Sequence, residues 1–262
     1  MRHPQNMTVK QTEKHSQELI IPLIFLLAIF WTGVLAASLT WNIFKTKEDF
    51  QSLARNEAIA MLNKDQAFRL WGSSHGGVYA PITEKSPPSP YLDHVKERDI
   101  TTPSGKELTL LNPAYMIRQL MENYNDLYGT KGHITGLVLL RPENKPDTWE
   151  KAALHRFIDN GEQEVSAFTS IDGKPFLRLM RPIYMRKSCE KCHGHLGFRD
   201  GDIRGGASVS VPMEEYNLRQ DEQNNVLFLS HGSVWLIGIL FIGFGSHKVQ
   251  ISLHETFKAE TE

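Results

Sequence analysis

Two uncharged apolar runs bracket this chain and limit what it can fold into. From Leu19 to Leu39 no charged residue occurs, and none occurs from Val226 to Ser246. An α-helix needs about 20 apolar residues to cross a hydrocarbon core, so each run is long enough for a transmembrane span. A cleaved secretory leader is the alternative for the first run, since Ala36-Ala37-Ser38 supplies small residues at its end. The second run is too long and too uniformly apolar for a buried core helix. Its one polar ring, His231, reads as solvated or at headgroup level. The expected organisation is an N-terminal segment 1–18, a span 19–41, one large domain 42–225, a span 226–246 and a tail 247–262.

Two spans place both termini on the same side of a membrane. Charge does not say which side: Arg2, Lys10 and Lys14 flank one end of the first run, and Lys45, Lys47 and Arg55 flank the other. The formal net charge of −1 over 262 residues offers no surface for nucleic acid.

Inside the domain the hydrophobic period changes along the chain. Lys47 to Leu70 repeats apolar residues at helical spacing and predicts a stalk that continues the first run. Ser86-Pro87-Pro88-Ser89-Pro90 cannot sustain a helix, because proline lacks the amide donor and restrains the residue before it. Asn112-Pro113 opens a helix expected to reach Tyr128 and stop at Gly129, and Pro146-Asp147 opens another that Asn160-Gly161 ends. Trp149 and Phe157 on the second helix read as core. Glu164 to Ile171, Pro175 to Tyr184 and Gly206 to Val211 then read as strands, the first two joined at Asp172-Gly173. Helices early and a hairpin late predict an α+β, PAS-like domain, one antiparallel sheet with helices on one face, flanked by two transmembrane helices.

The chain has two cysteines, too few and too close for a disulfide framework. They fall in Cys189-Glu190-Lys191-Cys192-His193. Thiols at i and i+3 share one side of a helical turn, where they can add to the two vinyl groups of one porphyrin, with the next histidine held as an iron ligand. Cys189 and Cys192 are thus the expected attachment points of one covalent haem c, and His193 the proximal ligand. Two other chemistries use the same residues. A thioredoxin-type dithiol needs C-x-x-C in a βαβ setting, and zinc would need Cys189, Cys192, His193 and His195 as four ligands.

WGSSHGGVYAP (71–81), LNPAYMIRQL (111–120), RPENKPDTWE (141–150), CEKCHG (189–194) and GDIRGGASVSVP (201–212) resemble the successive blocks of a family of PAS-like c-type haem sensor domains, named for a cyanobacterial Tll-type haem protein. The resemblance spans nearly the whole domain. It departs at Ile117, where threonine is expected, and this chain lacks the third cysteine that some members use as second axial ligand. The resemblance implies an extracytoplasmic domain in the bacterial inner membrane, with the haem in the periplasm and both termini in the cytoplasm. It also implies an output module of kinase, cyclase or chemoreceptor type. None follows the second run in this sequence, so the expected reader is a separate cytoplasmic partner.

The leading functional expectation is a haem-based sensor of redox state or of a small ligand, with homodimerisation as a further expectation. The alternative is a membrane-anchored electron-transfer cytochrome c. No Ser-His-Asp arrangement or phosphate-binding loop is recognisable, and catalysis is not expected. His75, before Gly76-Gly77, is the leading choice for a distal iron ligand, with Met116 next and Met185 also near the recognisable blocks. His94, His133, His155 and His195 are the remaining histidines of the domain. Arg118, Arg141 and Arg204 are candidate partners for haem propionates, and Gly194, Gly205 and Gly206 candidate points of close backbone approach.

Overall fold

The computed structural model describes residues 9–124, 127 and 129–259. Arg2, Tyr128 and the last residues, 260–262, lie outside the described residues, as do the side chains of Lys10 and Lys14.

The expected first span and its stalk form one uninterrupted helix, α1 (Val9–Ser74, 66 residues). After it come β1 (Val78–Pro81), β2 (Asp99–Thr101) and β3 (Glu107–Leu111), an antiparallel sheet in the order β1-β3-β2. Helix α2 (Pro113–Asn123) starts where Asn112 and Pro113 place it: the Asn112 side chain accepts the Tyr115 N–H at 2.8 Å, and proline takes the first helical position. It ends before the predicted Tyr128. Strand β4 (Lys131–Thr135) leads to α3 (Thr148–Asn160), which opens on a capping box between Asp147 and Glu150 and closes at Gly161 with φ of 69°.

Strands β5 (Val165–Ile171) and β6 (Lys174–Tyr184) form the predicted hairpin. Its turn has φ of 53° at Asp172 and 78° at Gly173, the left-handed pair that a tight two-residue connection requires. A short helix α4 (Glu190–His193), β7 (Ile203–Pro212) and the long α5 (Glu214–Ala259) complete the chain. The second sheet is antiparallel throughout, in the order β4-β7-β6-β5.

The α+β class and antiparallel pairing are as expected, but there are two sheets, and helices cover both faces of the larger one. Side chains alternate along a strand. Leu177 and Leu179 of β6, with Val209 and Val211 of β7, pack on Ala54, Ala58 and Leu62 of α1. Met180, one step out of phase, packs with Ala153, Leu154 and Phe157 of α3. The five residues Phe176–Met180 are therefore all buried.

Two compact units make up the chain. Residues 51–217 form one. The other comprises the start of α1, up to Phe50, and the chain from Leu218 onward. In the second unit both helices carry a stretch long and apolar enough to cross a membrane, and its side chains are not buried within the protein. Here the Trp31 indole lies against Gly238, where a side chain would collide with it, and Trp235 donates to the Thr32 hydroxyl at 3.0 Å. His231 is half-buried rather than solvated: its Nδ1 donates to the Leu227 carbonyl at 2.9 Å, and its Nε2 lies 3.2 Å from the Ser38 hydroxyl.

Candidate functional site

Strand β6 ends in a register shift between Ile183 and Tyr184, and the chain then leaves the sheet. It runs through three short helical turns in succession, Lys187–Cys189, α4 and Gly194–Leu196. The Cys189 N–H donates to the Arg186 carbonyl at 2.7 Å, and Gly197, with φ of 84°, ends the last turn. Both thiols are half-buried and are not joined in a disulfide. Cys192 packs on Leu92, Val95 and Leu110, which docks the turn against the smaller sheet. Ser188, next to Cys189, shares a 2.8 Å hydrogen bond with Ser73 at the end of α1.

The turn forms one wall of a cleft enclosing about 1120 Å³ of space, counted out to its open mouth. Cys189, Cys192 and His193 all line it. So do Ile134, Val138, Leu139, Ile183 and Met185, which make much of the wall apolar. Arg69, Arg118, Arg141 and Arg204 line it too, and among the described residues no acidic side chain does. Three of these four are the arginines singled out in the sequence. Arg69 is the addition: it sits on α1 between Phe68 and Leu70, and a cation flanked by apolar residues was the one signal that could have found it.

Electrostatics follow from that inventory. Burial lowers the Arg69, Arg118 and Arg204 pKa values, and the Arg141 charge lowers that of Arg118 further. Arg141 is already engaged by Glu122 at 2.9 Å and Glu143 at 3.3 Å. Arg118 has its Nε 3.7 Å from Glu122, beyond hydrogen-bond reach, and the Nε atoms of Arg118 and Arg204 are buried without a hydrogen-bond partner. His193 is pushed down to about 4, first by burial and then by the positive charges of Arg204, His195, His94 and Arg69. Its ring is therefore neutral at physiological pH, and its buried Nδ1 has no hydrogen-bond partner.

The other predicted residues scatter. Among the residues that line the cleft, His75 is not found. It is exposed at the end of α1, its ring 4.7 Å from that of Trp71, and its Nδ1 donates to the Trp71 carbonyl at 2.8 Å. Met116 lies beside Gly72, away from the lining, whereas Met185 is buried in it. His94 and His195 pair their rings 4.3 Å apart, and exposed His155 lies 3.6 Å from Asp159. His133 donates to Glu150, a carboxylate only 2% exposed that also accepts from Ser208 at 2.6 Å. Gly205, which lines the cleft, backs closely onto the Thr135 carbonyl, and Gly206 backs onto the Met180 side chain. At Gly194 an added Cβ would meet the Glu190 side chain at 3.8 Å, an ordinary contact distance.

The competing chemistries of the cysteine turn lack their settings. Both sheets are antiparallel, so no βαβ unit presents the dithiol. Among the described residues no three His, Cys, Asp or Glu side chains converge to hold a metal ion, which leaves zinc without a donor set.

The fold and cleft define a class: an α+β domain with an arginine-edged apolar cleft closed by a C-x-x-C-H turn. The chain belongs to the Tll0287-like family, whose model matches residues 46–212. Among solved structures it is similar to the crystal structure of the cyanobacterial heme-protein Tll0287, at 16% identity and a TM-score of 0.41, covering 62% of this chain and 95% of that one. No curated protein matches it.

Proposed function

We propose that this chain is a membrane-anchored protein carrying one haem, joined covalently to Cys189 and Cys192 with His193 as an iron ligand, and that it senses rather than catalyses. The observation that carries the reading is the cleft itself: apolar walls, four arginines, no acid among the described residues, and the C-x-x-C-H turn along one side. A porphyrin is an apolar plate with two carboxylates, and the residues present fit it. The buried Nε atoms of Arg118 and Arg204 lack the acceptors that propionates supply. His193, held neutral, keeps a lone pair for iron. The family takes its name from Tll0287, which is described as a heme-protein, and this supports the same reading. When bound, the haem would supply a redox-active iron, held by Cys189 and Cys192 through the porphyrin and by His193 at the metal.

The sensor reading rests on where the cleft meets the long helices. Arg69 and Ser73, which line it, belong to α1, and α1 continues unbroken into the apolar run. Helix α5 starts within two residues of β7, and its Tyr216 hydroxyl donates to Glu57 of α1. A change in ligation that moves Arg69 or the turn biases both helices, and a cytoplasmic kinase, cyclase or chemoreceptor-type partner reads the shift. A bacterial inner-membrane location follows, with the cleft domain on the periplasmic side, both termini in the cytoplasm, and a homodimer as the working assembly.

The test is an absorption spectrum of full-length protein matured with the c-type haem machinery, taken with and without reductant and carbon monoxide. Haem that survives denaturing electrophoresis in wild type, and is lost in the Cys189→Ala/Cys192→Ala double variant, is the expected result. Absence of covalent haem in wild type overturns the reading. Covalent haem that never admits carbon monoxide and never alters the partner transfers the role to an electron-carrying cytochrome c.

A further inference from the structure

A second cavity, open to solvent and enclosing about 810 Å³ counted out to its mouth, adjoins the first and shares Arg69, Ile134, Ile183 and Tyr184 with it. Its floor is the sheet and its roof is α1 and α2, with Leu62, Ile117, Met121, Ile134 and Ile183 supplying apolar surface. Arg69 stands between the two spaces. Its guanidinium reaches only the side-chain oxygen of Gln66, at 3.2 and 3.4 Å, and among the described residues no carboxylate pairs with it. The other arginine of this cavity, Arg181, is fully engaged: Glu164 accepts at 2.7 and 2.8 Å and Asn63 at 2.8 Å.

A cation held partly out of water without an anion is costly, and it draws one in. Haem does not meet that demand on the reading above, on which this step rests. In a porphyrin the vinyl groups and the propionates leave from opposite edges. Arg69 lies on the cysteine side of the cleft: Ser73, one helical turn further along α1, is hydrogen-bonded at 2.8 Å to Ser188, the neighbour of Cys189. It therefore stands at the thioether edge, while the propionates have Arg118 and Arg204. We propose that the second cavity binds a small monocarboxylic acid with an apolar body, its carboxylate on Arg69 and its body against the aliphatic wall. Asp65, which also lines the cavity and pairs with Lys64 at 3.2 Å, disfavours a second carboxylate there through like charge. Bound at Arg69, the acid touches the helix end that lines the haem cleft, so the chain reads a metabolite of this class as well as the iron.

Benzoate is a suitable probe, with benzamide as its uncharged counterpart and succinate as a dianion. Calorimetric titration uses full-length, haem-loaded protein in detergent, with haem content measured on each sample. Saturable benzoate binding is expected, with benzamide and succinate each roughly 10- to 100-fold weaker, as loss of a charge-assisted bond or gain of like-charge repulsion dictates. Arg69→Met should weaken benzoate by the same factor. Ala207→Leu, which fills the cavity from β7 without touching the cleft, should weaken it too, with covalent haem still present. No benzoate binding by haem-loaded wild type, or binding indifferent to both substitutions, overturns the proposal. Loss of haem from Arg69→Met alone overturns it as well, since the anion on Arg69 is then the haem's own. A wild type that binds benzoate but never acquires haem refutes the haem reading and leaves the acid site standing.

Discussion

His75 and Glu150 show how differently two titratable residues of this domain are placed. The Nδ1–H of His75 is held by the Trp71 carbonyl, so Nε2 is the ring nitrogen left for ligation. Ser73, two residues earlier, lines the cleft, so the end of α1 borders it although His75 itself does not. With His75 as sixth ligand, His75→Ala keeps the haem attached, changes the reduced-state spectrum and admits carbon monoxide. An unchanged spectrum passes the role to Met185, the methionine in the lining. Burial pushes the Glu150 carboxyl up, but hydrogen bonds from His133, Ser208 and the Asp147 backbone outweigh it, and the pKa lies below the usual 4.5. A depressed carboxylate contributes stability above its unfolded value and loses it as pH falls through the folded one. Glu150→Gln is therefore expected to melt lower at pH 7, by roughly 1–3 kcal/mol for a charged hydrogen bond lost in the core. The two melting temperatures should converge only as pH falls through the folded value, which lies below 4.5; a gap unchanged at the acid end of that range excludes the carboxylate as its source.

At the level of elements, the helix most exposed to a single change is α3. Asp147 both caps it, accepting the Glu150 N–H at 2.8 Å, and pairs with the buried Arg178 at 2.6 Å. The Arg178 guanidinium also lies over the Trp149 ring, 4.4 Å from its centre. Removing the cap costs about 1 kcal/mol, and an arginine 8% exposed loses a partner as well. Asp147→Ala should lower the thermal midpoint of the haem-loaded protein, and Asp147→Asn should recover part of it by keeping the cap. Equal losses in the two variants would place the whole effect in the ion pair. That capping box stands in the sequence as Asp147-x-x-Glu150, whereas β1, β2, β3 and β4 were not anticipated. These strands are three to five residues long, and their partners lie across turns and loops, so no local alternation announces them.

For the molecule as a whole, the orientation of the two apolar helices decides whether the cleft domain meets the compartment where covalent haem is installed. Reporter fusions test this directly. A periplasm-dependent reporter inserted among Ser86–Pro90 should be active, and the same reporter fused after Glu262 should be silent. Activity only at the C-terminal position reverses the topology and removes the basis for c-type maturation. The helix pair also holds a polar contact, Ser38 with His231, in a segment otherwise without charge. Sequence pattern read His231 as solvated or at headgroup level because it saw one helix; the second helix supplies Ser38 as a partner.

What the sequence by itself determined is local in range. The C-x-x-C-H spacing, the Asn112 and Asp147 caps, the Asp172-Gly173 turn and the two apolar runs each act within a few residues or along one continuous segment, so reading them needs no knowledge of the fold. Only the tertiary structure decided the cleft. Arg69 comes from α1, Arg118 from α2, Arg141 from the loop after β4 and Arg204 from β7, and no local pattern shows that the four meet. It likewise decided that both faces of β6 are buried and that His75 stands outside the lining. The physical reason is that burial and desolvation depend on what distant segments bring to the same place, and that is set by packing, not by neighbours in the chain.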